Sequence, residues 1–298
     1  MKMHDGEVDL DAARVARLVS GQFPDLAGLP VRQVRSTGTV NAIYRLGDDL
    51  YARLPLLAGW AEDLQTEYRC LSEVAGRLTL AVPEPVALGQ PADGYPFRWA
   101  IYRWIEGQPY ADELVADERQ TAQDTAQFVR ELRAAGVPTD APAAGRRPLR
   151  ELDAATREAI EAARGGIDSD AAAAAWDLAL QAPAWDGHRV WIHADLLRPN
   201  LLVRDGRLAA VIDFGSFGAG DPAADVIPAW AVFGAQGRQA FRAALEVDDG
   251  TWSRARGYAL HQAALIIPYY AKTNPEFAAM ARRTVEQVLA DPADAETR

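Results

Sequence analysis

Lysine is almost missing from this chain. Of 31 basic residues only Lys2 and Lys272 are lysines, and the rest are arginine. A phosphate contact that other enzymes assign to lysine must here fall to arginine, which binds phosphate bidentately and keeps its charge. Cysteine is scarcer still. Cys70 stands alone, which excludes an internal disulfide and leads to the expectation of a reducing, cytoplasmic setting. The opening MKMHDGEVDL has no apolar core of a secretion signal, and no apolar run reaches membrane-spanning length. Positive charge is in deficit, with 42 acidic residues and a net charge of −11. That balance argues against a nucleic-acid partner. It suits a cationic substrate, although solubility alone would explain it. His193 has no second His or Cys at ligand spacing, so no metal centre of that type is expected.

What is present is enough for two lobes, each with its own core, in 298 residues of ordinary globular composition. The chain is organised around Val190 to Asp225. Val190-Trp191-Ile192 reads as a buried strand. Asn200 to Arg204 and Leu208 to Ile212 read as two more, joined by Asp205-Gly206, a strong hairpin signal. Asp195, Asn200 and Asp213 sit at the strand edges.

Protein kinases carry a catalytic Asp, an Asn five residues on, and an Asp-Phe-Gly beyond the next hairpin. Here Asp195, Asn200 and Asp213-Phe214-Gly215 keep that spacing. Phosphoryl transfer to a hydroxyl needs a carboxylate to take the proton and oxygen ligands to hold Mg²⁺ on the phosphates. Asp195 fits the first role, and Asn200 and Asp213 fit the second. His193 reads as structural, positioning Asp195 through the backbone.

The run His193-Ala194-Asp195-Leu196, Asn200-Leu201-Leu202, Val211 to Gly215 and Gly220-Asp221-Pro222 with Asp225 resembles the aminoglycoside phosphotransferase family. That group comprises kinase-like antibiotic and small-molecule phosphotransferases and includes a macrolide branch. The resemblance departs at Ala194, where the family has Gly, and at Leu197-Arg198-Pro199, where it often has His-Pro-Gly. It implies an α+β, bilobal, protein-kinase-like fold, with a small β-rich N-terminal lobe and a larger helical C-terminal lobe. The expected boundary falls at a hinge, giving residues 1–106 and 107–298.

In chain order, 8–20 reads as a docking helix and 31–55 as three short strands. Thr37 and Gly38 in the first loop are candidates for a phosphate flap, with a plain hairpin as the alternative. Arg53 stands in the third strand, at the position of the kinase lysine. The helix read over 60–77 carries Glu67, which the resemblance favours as the partner of Arg53 over Glu62 and Glu73. An apolar strand at 98–104 leads into the hinge, so Tyr102, Arg103 and Trp104, with Ile101, are the adenine candidates.

The Pro-rich loop at 138–148 is read with Arg146 and Arg147 exposed. Helices are expected over 117–135, 149–163, 169–180, 221–233, 236–245, 249–270 and 275–290. The resemblance implies that the inserted helices frame the acceptor, where Asp153, Glu158 or Glu161 could meet an amine. Arg198, Asp225, Tyr269, Tyr270 and Asn274 are further acceptor-contact candidates. The expected activity is transfer of the γ-phosphate of ATP or GTP, with Mg²⁺, to a hydroxyl of an antibiotic such as an aminoglycoside. A macrolide, a metabolite such as a sugar or amino alcohol, and a nucleotide-binding module without chemistry stay open.

Overall fold

The computed structural model describes residues 6–34 and 41–291. Thr37 and Gly38 lie outside the described residues. Helix α1, Ala12–Gln22, starts at Asp11, whose carboxylate accepts from the Arg14 N–H at 2.7 Å. That cap sets the start four residues later than the apolar spacing suggests, because a side-chain acceptor satisfies the first-turn amides.

Five strands follow: β1 Val31–Gln33, β2 Asn41–Leu46, β3 Leu50–Pro55, β4 Pro85–Gly89 and β5 Trp99–Arg103. They form one antiparallel sheet in the order β1-β2-β3-β5-β4. Helix α2, Ala58–Val74, connects β3 to the rest and ends in a tight turn at Ala75–Arg77. Val15, Leu18, Tyr44, Leu54 and Trp99 form a buried core on the α1 side of the sheet. Leu64, Ala100 and Tyr102 form a smaller one under α2. The alternation of faces along β5, with Trp99 and Ile101 in one cluster and Ala100 and Tyr102 in the other, is the period-2 geometry of a strand buried on both sides.

The remainder is mostly helical. A two-residue strand, β6 Gln108–Pro109, pairs with β8 Leu201–Arg204, which pairs in turn with β9 Arg207–Val211. Asp205 and Gly206 both have positive φ (52° and 79°), the backbone that a tight two-residue hairpin demands. Strand β7 Val190–Ile192 pairs with β10 Gly218–Gly220. The helices are α3 Glu118–Ala134, α4 Asp153–Ala162, α5 Ser169–Ala179, α6 Pro228–Ala231, α7 Ala235–Leu245, α8 Asp249–Tyr270 and α9 Pro275–Ala290.

The one helix expected over 221–233 is two pieces instead, a 3-10 turn at Pro222–Val226 and the short α6. Pro228 lacks an N–H to donate to the turn before it, so the ladder is interrupted there although Ile227 keeps helical backbone (φ −49°, ψ −35°). Beneath the loop that follows β7, Trp191 stacks on Phe217 at 4.7 Å, and Phe214 packs edge-on against Phe217 and Phe128. These rings are all buried. Burial of each is worth roughly 1.5–3 kcal/mol, which makes this floor stiff.

Candidate active site

A cleft of about 450 Å³ opens between the five-stranded sheet and the β6-β8-β9 hairpin layer. Ile43, Tyr51 and Trp104 line it from the sheet side, and Leu202 and Ile212 from the other. Arg53, Asn200 and Asp213 line it too. The result is an apolar slot with a polar end, which is the shape a nucleotide base with its phosphates requires.

Arg53 is the hub of that polar end. Its guanidinium donates to the Glu67 carboxylate of α2 and to Asp213 Oδ1 at 2.7 Å. Asn41, with its amide oxygen turned inward, would accept from Arg53 Nε at 3.0 Å. Burial drives the Glu67 carboxyl upward while Arg53 pulls it back. A lysine would offer a point charge here; the fork of arginine reaches two carboxylates at once. Gly215 makes room for it, since a Cβ there would lie 3.0 Å from Arg53 Nη2.

Asp213 has left-handed backbone, φ 63°, and the next residue, Phe214, is buried against the His193 ring at 4.6 Å. The aromatic anchor holds the carboxylate at the cleft. His193 in turn ties two loops together. Its Nε2 faces the Ile212 carbonyl at 3.0 Å, and its Nδ1 accepts from the Asp195 N–H at 3.3 Å. The ring is therefore the neutral Nε2–H tautomer, and burial holds its pKa down to about 4.

Asp195 is half-buried. Its carboxylate accepts from Asn200 Nδ2 at 2.9 Å and from Gln262 Nε2 at 3.2 Å. The same Asn200 amide donates to the Asp195 carbonyl at 2.8 Å. Burial, with Asp213 nearby, pushes the Asp195 carboxyl up to about 6. With its nitrogen committed to Asp195, Asn200 has its amide oxygen as a donor for a cation.

Asn200 and Asp213 offer hard oxygen ligands on one cleft, and no group of three or more His, Cys, Asp or Glu residues gathers anywhere among the described residues. This donor set fits Mg²⁺, which takes one or two protein oxygens and completes its shell with water and phosphate.

Ala194 has φ 65°, the left-handed conformation that glycine adopts freely. Its methyl packs with Ile192 and Ala224, so the strain is offset by burial. We expect Ala194→Gly to change stability by no more than about 1 kcal/mol. Ala194→Val should destabilise the fold well beyond that, because a β-branched side chain is excluded from this backbone. Thermal melts of the two variants separate the cases.

Several residues assigned to ligands by the sequence have other partners. Asp225 is fully buried and accepts the His193 and Ala194 N–H groups at 2.8 and 2.7 Å, so its carboxylate holds the 193–195 loop from beneath. Arg198 lines the cleft but makes a bidentate contact with Asp112 (2.7 and 3.2 Å), donates to the Val232 carbonyl and covers the Tyr110 ring, so both terminal nitrogens of its guanidinium have protein partners. Asn274 is the N-cap of α9, accepting from the Phe277 N–H at 3.2 Å. Tyr269 and Tyr270 close the end of α8, Tyr269 exposed and Tyr270 packed edge-on to Phe277 at 5.3 Å; neither lines the cleft. Tyr102 is buried on the α2 side, stacked on Tyr51 at 5.3 Å, and Arg103 points outward to Glu84 at 3.0 Å. Of the four hinge candidates only Trp104 lines the cleft, beneath Arg45 at 4.1 Å, and Ile101 is buried in the core on the α1 side.

Two residues near Asp195 were not among the sequence candidates. Gln262 sits in the middle of α8, and nothing in its neighbourhood in the chain marks it. The sequence places Arg146 in an exposed loop. Its Nε is instead sealed from solvent, and its charge acts on Asp195.

Comparison with known proteins agrees with this geometry. A model of the phosphotransferase enzyme family matches residues 31–258. The GDP and kanamycin complex of APH(2″)-IIIa is 19% identical with a TM-score of 0.72, covering 94% of this chain and 99% of its own. Macrolide 2′-phosphotransferase type I is 18% identical with a TM-score of 0.62, covering 94% and 98%. The apoenzyme of macrolide 2′-phosphotransferase MphH from Brachybacterium faecium is 21% identical with a TM-score of 0.57, covering 95% and 99%. No curated protein matches the chain.

Proposed function

The chain belongs to the phosphotransferase enzyme family, and we propose that it moves the γ-phosphate of ATP or GTP to a hydroxyl of a small molecule. The observation that carries this reading is the pairing of Asp195 with Asn200 beside a cleft that also presents Asp213 and Arg53. The cleft takes the nucleotide, with the base between the apolar walls and Trp104 as one ring surface. Arg53, held by Glu67, meets the phosphates. Mg²⁺ on Asn200 and Asp213 would neutralise charge on the phosphoryl oxygens. Asp195 orients the acceptor hydroxyl and takes its proton as that oxygen attacks the γ-phosphorus. The phosphorus–oxygen bond to the nucleoside diphosphate breaks as the new one forms. The boundary between the two working lobes falls at Gly107, just before β6 joins the hairpin layer.

The test is Mg²⁺-dependent transfer of labelled phosphate from ATP and from GTP to a panel of aminoglycosides, macrolides, sugars and amino alcohols. Saturable transfer to one class supports the reading. Nucleotide bound in the cleft with no transfer to any hydroxyl, water included, would favour a nucleotide-binding module.

A pH dependence follows from Asp195. The base works only when ionised, and its pKa lies near 6. We expect kcat/KM to be level above that value and to fall about tenfold per pH unit below it. A profile that stays flat down to pH 4.5 would assign the proton to another group.

A further inference from the structure

Outside the residues that line the nucleotide cleft, one guanidinium, that of Arg146, acts on Asp195. Arg146 is brought there by the backbone. Residues 142–144 run along β10, with the Ala219 N–H donating to the Pro142 carbonyl at 2.8 Å and the Ala144 N–H to the Ala219 carbonyl at 3.0 Å. The approach is close enough that a Cβ on Gly220 would lie 2.3 Å from the Ala144 oxygen. Ala144 packs in one cluster with Ala194 of the catalytic loop, and Arg146 follows two residues on. Its Nε is buried with no hydrogen-bond partner, and its charge reaches Asp195, Tyr258 and His261. Arg147 adds a second positive charge at His261.

Asp195 is the acid whose charge reaches Arg146, but its oxygens accept from the neutral amides of Asn200 and Gln262 and not from the guanidinium. Asp221 is clamped by Arg254 at 2.9 and 3.1 Å. On the inserted helices, Asp153 is bound by Arg157 and Trp176, and Glu161 makes a bidentate pair with Arg164. His261 is neutral. Its Nδ1 sits 2.8 Å from Thr156 Oγ1, whose hydroxyl donates to the Leu152 carbonyl, so Nδ1 carries the proton. A half-buried guanidinium without a carboxylate partner is costly to keep. That cost makes sense if the counter-charge arrives with the substrate.

We infer that the acceptor carries an anionic group, a carboxylate or phosphate, near the hydroxyl it presents to Asp195, and that Arg146 receives it. This rests on the phosphotransferase reading and narrows its acceptor class. Arg146 is then the specificity-determining residue of the acceptor site, and a polycationic acceptor is disfavoured by it.

The test uses trios of hydroxylated acceptors that differ in one group, carboxylate, amide or amine, on a sugar, a cyclic polyol and a short chain. Glucuronate, glucuronamide and glucosamine form the first trio. Binding to the protein saturated with Mg²⁺ and a non-hydrolysable ATP analogue is read by calorimetry, and turnover with ATP in parallel. The carboxylate member should bind at least about tenfold more tightly than its amide, the size of a charge-assisted hydrogen bond. Arg146→Gln should erase that preference and leave affinity for the ATP analogue unchanged. Arg146→Lys should restore part of it. The inference is overturned if no trio discriminates, if the amine binds best, or if the preference survives Arg146→Gln. It is equally overturned if Arg146→Gln slows all acceptors alike, which would place the guanidinium on the transferred phosphoryl group. Failure of the ATP analogue itself to bind would instead count against the phosphotransferase reading.

Discussion

Asp195→Asn should reduce turnover by about 10² to 10⁴-fold, the range that a positioned general base contributes. Nucleotide affinity should stay close to that of the native protein, because Asp195 is not among the residues lining the cleft. The amide cannot accept a proton, and it also upsets the local pairing. Asn200 and Gln262 both present N–H groups to residue 195, and an Asn side chain has only one oxygen to offer them. The stability effect has the opposite sign. Burial lifts the Asp195 carboxyl from the ordinary 3.8 to about 6, so the folded state holds the proton more tightly than the unfolded chain does. A raised carboxyl stabilises the fold as pH falls from about 6 towards 4, and weighs against it at neutral pH. Asp195→Asn therefore removes both the neutral-pH penalty and that pH dependence. Melting curves at pH 5 and pH 7.5, set beside single-turnover rates, measure the two effects. An Asp195→Asn protein that keeps more than a tenth of native turnover would exclude Asp195 as the base.

The second large effect belongs to Arg53. Arg53→Met should destabilise the protein by about 3–5 kcal/mol, the range for breaking a buried ion pair from one side. In a domain of this size that corresponds to roughly 10 °C in melting temperature. The reason is what stays behind. Glu67 is buried, and without Arg53 its carboxylate faces Asp213 with no cation between them. Its carboxyl, already raised by burial, would rise further, so the deficit should shrink as pH is lowered and the acid becomes neutral. Adding Glu67→Gln to Arg53→Met should recover a good part of the lost stability, because the stranded charge is gone. Nucleotide affinity should not return with it, since the phosphate contact is still missing. Equal melting temperatures for Arg53→Met and the native protein would show that Arg53 is not the bridge between α2 and the Asp213 loop.

Much of the fold and part of the site can be read in the chain, and the limits have physical causes. The hairpin at Asp205-Gly206 is local, set by two residues that tolerate positive φ. The pairing of Arg53 with Glu67 spans only 14 positions and two adjacent elements. The hinge is harder. The period of β5 sends Tyr102 to the α2 face, and Arg103 continues outward to Glu84, which leaves Trp104 as the side chain at the cleft. Asp225, Arg198 and Asn274 have the residue types of substrate contacts. Asn274 is used locally as the cap of α9, whereas Asp225 and Arg198 are taken by groups 31 and 86 residues away that nothing near them in sequence reveals.

By itself, then, the sequence determined the family motifs between His193 and Asp225, the local pairing of Arg53 with Glu67 and most of the helix and strand content. Each depends on spacing, turn chemistry or apolar period within one short segment. The tertiary structure decided which charges remain available. Arg146 and Gln262 reach Asp195 from elements 49 residues upstream and 67 downstream. On the inserted helices Asp153 and Glu161 are paired locally with Arg157 and Arg164, whereas Asp177 reaches Arg157 from 20 residues away only because α4 and α5 pack together. A charged side chain is free for a ligand only when no other segment satisfies it, and which segments meet is settled by packing the whole chain.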